Sequence, residues 1–350
     1  MPSSPRIWLR GEAAPNEQRT PLTPADAGTL VAEGIAVTVE ESELRIFPIE
    51  EYAAAGCRIV PGGSWAEAPL SEIILGLKEP SPQPWPLAHY HVFFGHAYKG
   101  QEGGPALLQR FAAGGGTLLD LEYLADEAAR RLVAFGFWAG YVGAAIAVLH
   151  QRGELTAPLR SMTRPELDAR IRGPRSVASA LVVGALGRAG RGACEALTVA
   201  GMPTTRWDIE EARNLDRLRL LDHDILVNAV FASEPGTPFL TAADLPHDGR
   251  RLTTVCDVAC DVTSACNRLP VNCQLTDWTQ PVRRLHQGPL PLDLIAIGNL
   301  PSLLPRESST AFSADLLPHL ANLPHGSLPW IRSQGQFHHA RQVTKETTHG

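Results

Sequence analysis

Short apolar runs separated by longer mixed stretches recur along this chain, and their order predicts strands alternating with helices. Strands are expected at 7–10, 36–40, 73–77, 92–95 and 116–120. The run 36–40, Ala-Val-Thr-Val-Glu, alternates as a half-buried strand does. The run 73–77, Ile-Ile-Leu-Gly-Leu, is apolar throughout and bounded by polar residues, as expected of a parallel strand covered on both faces. Between the first two strands, Thr23 reads as a helix N-cap with Pro24 in the first helical position. A short helix is expected over 50–55. The alternation over 1–134 predicts an α/β domain.

Residues 135–150 form the most apolar stretch. Three glycines interrupt it, and it falls short of the roughly 20 residues of a membrane-spanning helix, so it reads as a buried helix. Residues 151–175 are polar, carry Pro158, Pro165 and Pro174, and read as a linker. A second series then begins, with a strand at 179–183, a glycine-rich turn, a helix to residue 200, and strands at 205–208, 224–228 and 252–256. This predicts a second α/β domain over 135–308. The tail from Ser309 reads as a helix packing back on the first domain, so that 1–134 and 309–350 belong together.

The 350 residues are 44% hydrophobic and 19% charged, enough for two ordinary cores. The formal net charge is −6 and there is no basic run, which argues against nucleic acid or an anionic membrane as partner. The first residues lack the apolar segment of a signal peptide, and a soluble cytoplasmic protein is expected. Of six cysteines, four fall between Cys256 and Cys273 without a C-x-x-C pair, so reduced thiols are favoured over zinc. Monomer and dimer both stay open.

Candidate chemistry sits in three places. The turn Gly184-Ala-Leu-Gly187-Arg188-Ala-Gly190 follows a strand and opens a helix, the context a dinucleotide fingerprint needs, although its spacing is G-x-x-G-x-x-G. Alone it reads as a nucleotide cradle or as a structural turn. Asp208, 24 residues after Gly184 at the end of the next strand, favours the first reading: an acid there accepts from ribose hydroxyls and repels a 2′-phosphate, which selects NAD. Lys78 closes a buried strand, where desolvation lowers a lysine pKa and makes it a base. The competing reading is a surface lysine paired to Glu79. His96 closes the next strand as a candidate proton shuttle. With His89 and His91 it makes three histidines in eight residues, but not a one-faced metal set. Arg19 and the pair Arg130-Arg131 suit a substrate carboxylate, or are surface charges.

Taken in order, Leu9-Arg-Gly-Glu12, Glu17-x-Arg19, Gly76-Leu-Lys-Glu79, His96-x-Tyr-Lys99, Gly116-Thr-Leu-x-Asp-Leu-Glu122, Gly184-Ala-Leu-Gly-Arg188 and Leu300-Pro-Ser-Leu-Leu-Pro-Arg-Glu307 are recognisable. From about residue 6 to 335 the chain resembles the NAD-dependent, lysine-forming saccharopine dehydrogenases, with alanine dehydrogenases and transhydrogenase NAD-binding subunits as wider fold relatives. The resemblance implies an α/β fold of two Rossmann-like domains with a cleft between them. It implies a substrate and catalytic domain over 1–134 plus 309–350, and an NAD-binding domain over 135–308. The implied reaction oxidises a secondary amine that links two amino-acid skeletons and hydrolyses the imine to an amino acid and a 2-oxo acid. Lys78 matches the base on the amine, and His96 the acid/base of imine hydrolysis. Arg19, Gln101, Arg131, Phe135, Ala259, Cys260 and Asp261 match substrate positions. Arg130, Gly184, Gly187, Arg188, Asp208, Phe231, Val258, Ile297, Gly298, Asn299 and Leu300 match cofactor positions.

The chain also departs from the family it resembles. Ala14 stands where a lysine is usual, and Gly298-Asn299 where Asp-His is usual. Ala189 and Asn228 or Ala229 stand in place of a cysteine pair, and the linker is shorter. These changes keep other readings in play: a related enzyme with a different amine or keto acid, an alanine-dehydrogenase-like enzyme using ammonia, or a non-catalytic NAD(H)-binding module.

Overall fold

The apolar runs of the first half pair side by side in a computed structural model that describes residues 6–98, 101, 103–173, 177–232, 234–323 and 326–349, the last six of these as backbone. Lys99 and Pro174 lie outside the described residues. The chain divides into two units, residues 1–134 with 308–350, and residues 135–307.

In the first unit the elements are β1 (Arg6–Leu9), α1 (Pro24–Ala32), β2 (Ala36–Glu40), α2 (Ile49–Ala54), β3 (Arg58–Val60), β4 (Glu72–Leu75), β5 (Tyr90–Phe93), α3 (Gly104–Gly114) and β6 (Thr117–Asp120). The sheet order is β3-β2-β1-β4-β5-β6, and every pairing is parallel. Ile7 aligns with Val37 on one side and Ile73 on the other. The order reverses between β1 and β4, the switch point beyond which open α/β sheets form a crevice at the carboxyl ends of their strands. Thr23 caps α1 by accepting from the Asp26 amide, with Pro24 at its start.

The second unit opens with α4 (Gly136–Gln151), α5 (Arg164–Ile171), β7 (Ala180–Val183), α6 (Arg188–Val199), β8 (Thr204–Trp207), α7 (Ile209–Arg213), α8 (Arg217–Leu221) and β9 (Ile225–Asn228). It continues with β10 (Thr254–Asp257), β11 (Arg283–His286) and β12 (Leu292–Ile295). Its sheet runs β11-β12-β10-β9-β7-β8, parallel except for the β11–β12 edge. Here the order reverses between β7 and β9. α4 is buried along most of its length against α6, and this needs glycine: a Cβ on Gly140 would lie 1.8 Å from the Ala189 carbonyl oxygen. Among the described residues no helix is long and apolar enough to cross a membrane.

The tail forms α9 (Pro305–Ala321) and α10 (Leu328–His349). Serines one turn apart on α9 fasten it to the first unit: Ser309 Oγ accepts from the Thr20 amide and Ser313 Oγ from the Thr23 amide, both at 2.9 Å. On α10, Ser333 donates to the Asp120 carbonyl at 2.9 Å.

Three expectations need correction. The stretch 151–175 is not all linker, because α5 lies within it. Thr163 and Glu166 form a reciprocal capping box, and Pro165 sits in the first turn, where a proline starts a helix rather than breaking one. Arg164 then lies over the Trp138 and Tyr141 rings and pairs with Glu195. The tail helix begins at Pro305, four residues before Ser309. The strands β3, β11 and β12 were not anticipated.

Candidate active site

Lys78, Glu12 and Arg19 converge at the switch point of the first unit. Glu12 follows β1 and Lys78 follows β4, so both stand beyond carboxyl ends of neighbouring strands. The Glu12 carboxylate accepts from the backbone amides of Leu77 (2.6 Å) and Lys78 (3.0 Å), fixing the turn that carries the lysine. Arg10 reinforces the turn by donating to the Lys78 carbonyl. Glu79 pairs with Arg110 instead of Lys78, Oε1 to Nη1 at 2.9 Å. The surface-pair reading of Lys78 therefore does not hold.

Arg19 lies in a two-pronged pair with Glu17, Nε–Oε1 2.7 Å and Nη2–Oε2 2.6 Å. Both side chains are buried, at 4% and 5% exposure. This pair bears on Lys78 in opposite senses. Burial first, and then the Arg19 guanidinium, hold the Lys78 ammonium below the usual lysine range, while Glu17 and Glu12 oppose them.

The second acid/base candidate stands one strand over. His96 follows β5 with φ +48°, half-exposed, and its Nδ1 lies 3.2 Å from Glu122 Oε2. Glu122 is carried by the 3-10 turn Leu121–Tyr123 that follows β6. His89 and His91 are set apart: His89 Nε2 bonds the Ala68 carbonyl, and His91 is buried among Trp65, Phe93 and Phe111. Of the remaining substrate candidates in this unit, Arg131 is exposed and Gln101 lies just before α3. Arg130, a cofactor candidate, is exposed and pairs with Asp126 at 2.8 Å.

In the second unit the glycine turn lies between β7 and α6. Gly184 has φ +83°, and a Cβ there would press within 3.0 Å of the Ala229 carbonyl; one on Gly190 would stand 2.0 Å from the Gly184 carbonyl oxygen. Gly187 is the N-cap of α6, whose first amides lack helical acceptors. A cavity of about 620 Å³ opens beside the turn, lined by Gly184, Gly187, Asp208, Phe231 and Arg268 among others. The turn, the free helix end and a roomy cavity fit a pyrophosphate and its nucleoside. Asp208 caps α7, with Oδ1 accepting from the Ile209 amide (2.8 Å) and Oδ2 from the Leu186 amide (2.9 Å). Its carboxylate thus braces the glycine turn while facing the cavity.

The other residues of this unit gather at the carboxyl ends of β9, β10 and β12. A Cβ on Gly143 of α4 would meet Cys256, Val258 and Leu300 at 3.0–3.2 Å, so these three side chains meet there. Ile297 is buried, Gly298 and Asn299 are exposed, and Asn299 Oδ1 accepts from Trp278 Nε1 at 3.1 Å. Phe135 is the N-cap of α4, and Arg188 opens α6. The segment Ala259, Cys260, Asp261 folds over Asp257, whose buried carboxylate accepts from Asn228 (2.9 Å), Asn272 (2.8 Å) and the Cys260 amide (3.3 Å). Burial pushes the Cys260 thiol up to about 12, so it is a neutral thiol, and its Sγ donates to the Asp257 carbonyl.

Sequence reading did not assign roles to Glu12, Glu17, Glu122 or Asp257. Glu12 acts on a turn 66 residues away, which no spacing reveals. Glu122 had a signal, since it follows β6 at the same sheet edge as Lys78 and His96.

Residues 8–142 match the alanine dehydrogenase/PNT N-terminal domain family. In fold, the chain is similar to L-alanine dehydrogenase (TM-score 0.68, 17% identity, 95% of this chain and 93% of that one). It is also similar to transhydrogenase from Sinorhizobium meliloti (TM-score 0.60, 17% identity, 91% and 94%). Among curated proteins, saccharopine dehydrogenase (NAD(+), L-lysine-forming) of Candida glabrata is 39% identical over 364 residues, covering 96% of this chain and 98% of the relative. Its namesake in Schizosaccharomyces pombe is 38% identical, covering 95% and 97%. That of Emericella nidulans is 40% identical, covering 91% and 92%. With such identity along nearly the whole of each relative, the chain belongs to the family of NAD(+)-dependent, L-lysine-forming saccharopine dehydrogenases.

Proposed function

We propose that this protein interconverts saccharopine, NAD and water with lysine, 2-oxoglutarate and NADH. The observation that carries the reading is Lys78, a desolvated lysine at a sheet switch point, held beside a buried Arg19–Glu17 pair. A secondary amine is an ammonium at neutral pH and has no lone pair to drive hydride loss. A base of depressed pKa removes that proton. Lys78 takes this role.

The glycine turn, Asp208 and the Phe231 side of the cavity hold the dinucleotide, with Arg188, Val258 and residues 297–300 completing its site in that unit; Arg130 is assigned to the cofactor as well. The chemistry drawn from the bound cofactor is acceptance of a hydride from the carbon next to the amine nitrogen. His96, backed by Glu122, takes a proton from water as it adds to the resulting imine, and returns one as the carbinolamine collapses to lysine and 2-oxoglutarate. Arg19 and Arg131 are assigned to substrate carboxylates, and Gln101, Phe135, Ala259, Cys260 and Asp261 are assigned to substrate as well. Catalysis is assigned to residues 1–134 with the tail, and NAD binding to the unit that follows.

A second reading keeps this chemistry and changes the amine. Ala14 offers no charge to the substrate, and Asn299 is held by Trp278 next to Gly298. Reductive condensation followed at 340 nm, with 2-oxoglutarate and either lysine or a panel of other amines, separates the two. NADH consumption with lysine supports the first. Turnover only with another amine replaces it with the second, and no turnover with any amine removes both.

A further inference from the structure

Asp120 is the last residue of β6, fully buried, and pairs in register with Phe93 at the end of β5. The chain leaves β5 through Phe94 and Gly95 to His96, and leaves β6 through the 3-10 turn to Glu122. The Asp120 carboxylate bonds the second turn and packs against the first. Oδ1 accepts from the Glu122 amide at 2.9 Å. On the other side, a Cβ on Gly95 would stand 3.1 Å from Oδ2 and 2.6 Å from Leu118 Cδ2, so a larger residue there would shift the Leu118 side chain and press on the carboxylate. Burial pushes the Asp120 carboxyl up to about 6 against the Glu122 amide, which favours the charged form, and the buried Oδ2 has no hydrogen-bond partner among the described residues. His96 and Tyr98 face it from the β5 side, Glu122 and Tyr123 from the β6 side, and Ser333 of α10 holds its backbone carbonyl.

Among the described residues no cation pairs directly with this buried carboxylate, an arrangement that is costly. Its arrangement here ties together the two segments that must bring an imidazole and a carboxylate to 3.2 Å. We infer that Asp120 is a positioning residue: by holding the Glu122 amide and packing against the Gly95 turn, it sets the His96–Glu122 spacing. The inference rests on the acid/base reading of His96. An asparagine keeps one acceptor oxygen, so either the Glu122 amide faces an N–H or that N–H is set against the Gly95 turn, and one of the turns loosens.

The test titrates the His96 imidazole by NMR in protein carrying labelled histidine, with no substrate present, in the wild type, Asp120→Asn, Glu122→Gln and the double variant. The pH profile of kcat is followed in parallel, and NADH affinity by fluorescence. Asp120→Asn is expected to move the His96 midpoint to lower pH and to lower kcat about tenfold or more, with NADH affinity kept. The two substitutions are expected to be non-additive, because both act on one pair. If Asp120→Asn fails to fold, Gly95→Ala displaces the same contact from the other side and is expected to move the midpoint in the same sense. A folded Asp120→Asn with the wild-type midpoint and kcat overturns the inference, as do strictly additive effects or an unmoved midpoint in Gly95→Ala. The titration needs no turnover, so its failure is distinct from failure of the proposed reaction.

Discussion

Arg19 and Glu17 form a buried, two-pronged ion pair, 2.6 and 2.7 Å, whose two ends act on Lys78 in opposite directions. The pair makes the proton affinity of the lysine adjustable from either side. Glu17→Gln removes an anion that favours the ammonium and leaves only Glu12 to oppose Arg19. The Lys78 pKa then falls further. In the oxidative direction Lys78 must be neutral to act, so the acid limb of the pH–rate profile is expected to move to lower pH. Glu17→Gln also removes the two-pronged charged hydrogen bonds to a buried guanidinium, with an expected loss of about 1.5–3 kcal/mol in unfolding free energy. A pH–rate series with a denaturant melt on the same variant checks both effects.

Asp208 has two tasks, facing the cavity and bracing the Leu186 amide of the glycine turn. Asp208→Ala is expected to weaken NADH binding and narrow its preference over NADPH, since the anion that repels a 2′-phosphate is gone. Loss of the α7 cap adds about 1 kcal/mol of destabilisation. Fluorescence titrations with both nucleotides measure the ratio; an unchanged ratio would remove Asp208 from the cofactor site.

Gly190→Ala is expected to disrupt the turn itself, because its Cβ would fall 2.0 Å from the Gly184 carbonyl oxygen, a backbone atom that cannot swing aside. Overpacking of this kind costs about 1–3 kcal/mol. A thermal melt lowered in parallel with NADH affinity is the expected outcome.

Cys260 lies in the segment assigned to substrate, yet its thiol is pushed up to about 12 and donates to a carbonyl. Thiolates are the reactive form. Alkylation by iodoacetamide at neutral pH, followed by peptide mass spectrometry, is expected to label exposed Cys273 well before Cys260.

The apolar runs were enough to place most strands of both sheets, because strands buried in parallel sheets are apolar along their length. β2 begins and ends where the alternation Ala-Val-Thr-Val-Glu does. β11, Arg-Arg-Leu-His, is polar because it is an antiparallel edge, and no run announced it. α5 is legible in Thr163-Arg-Pro-Glu166, but it lies in a polar, proline-bearing stretch that reads as a linker. Lys78, His96 and the glycine turn stood out because each closes an apolar run. The carboxylates that hold them did not: Glu12 reaches Leu77 and Lys78 across 65 and 66 residues, a relation created only when β1 and β4 pair.

The central claim is that Lys78 is the base on the substrate amine. The direct test is NADH oxidation at 340 nm with 2-oxoglutarate and lysine, wild type against Lys78→Met, with NADH affinity measured alongside. The account predicts turnover reduced on the order of 10²–10⁴-fold, typical of losing a positioned general base, with NADH binding near normal. Turnover of Lys78→Met at the wild-type rate would contradict it.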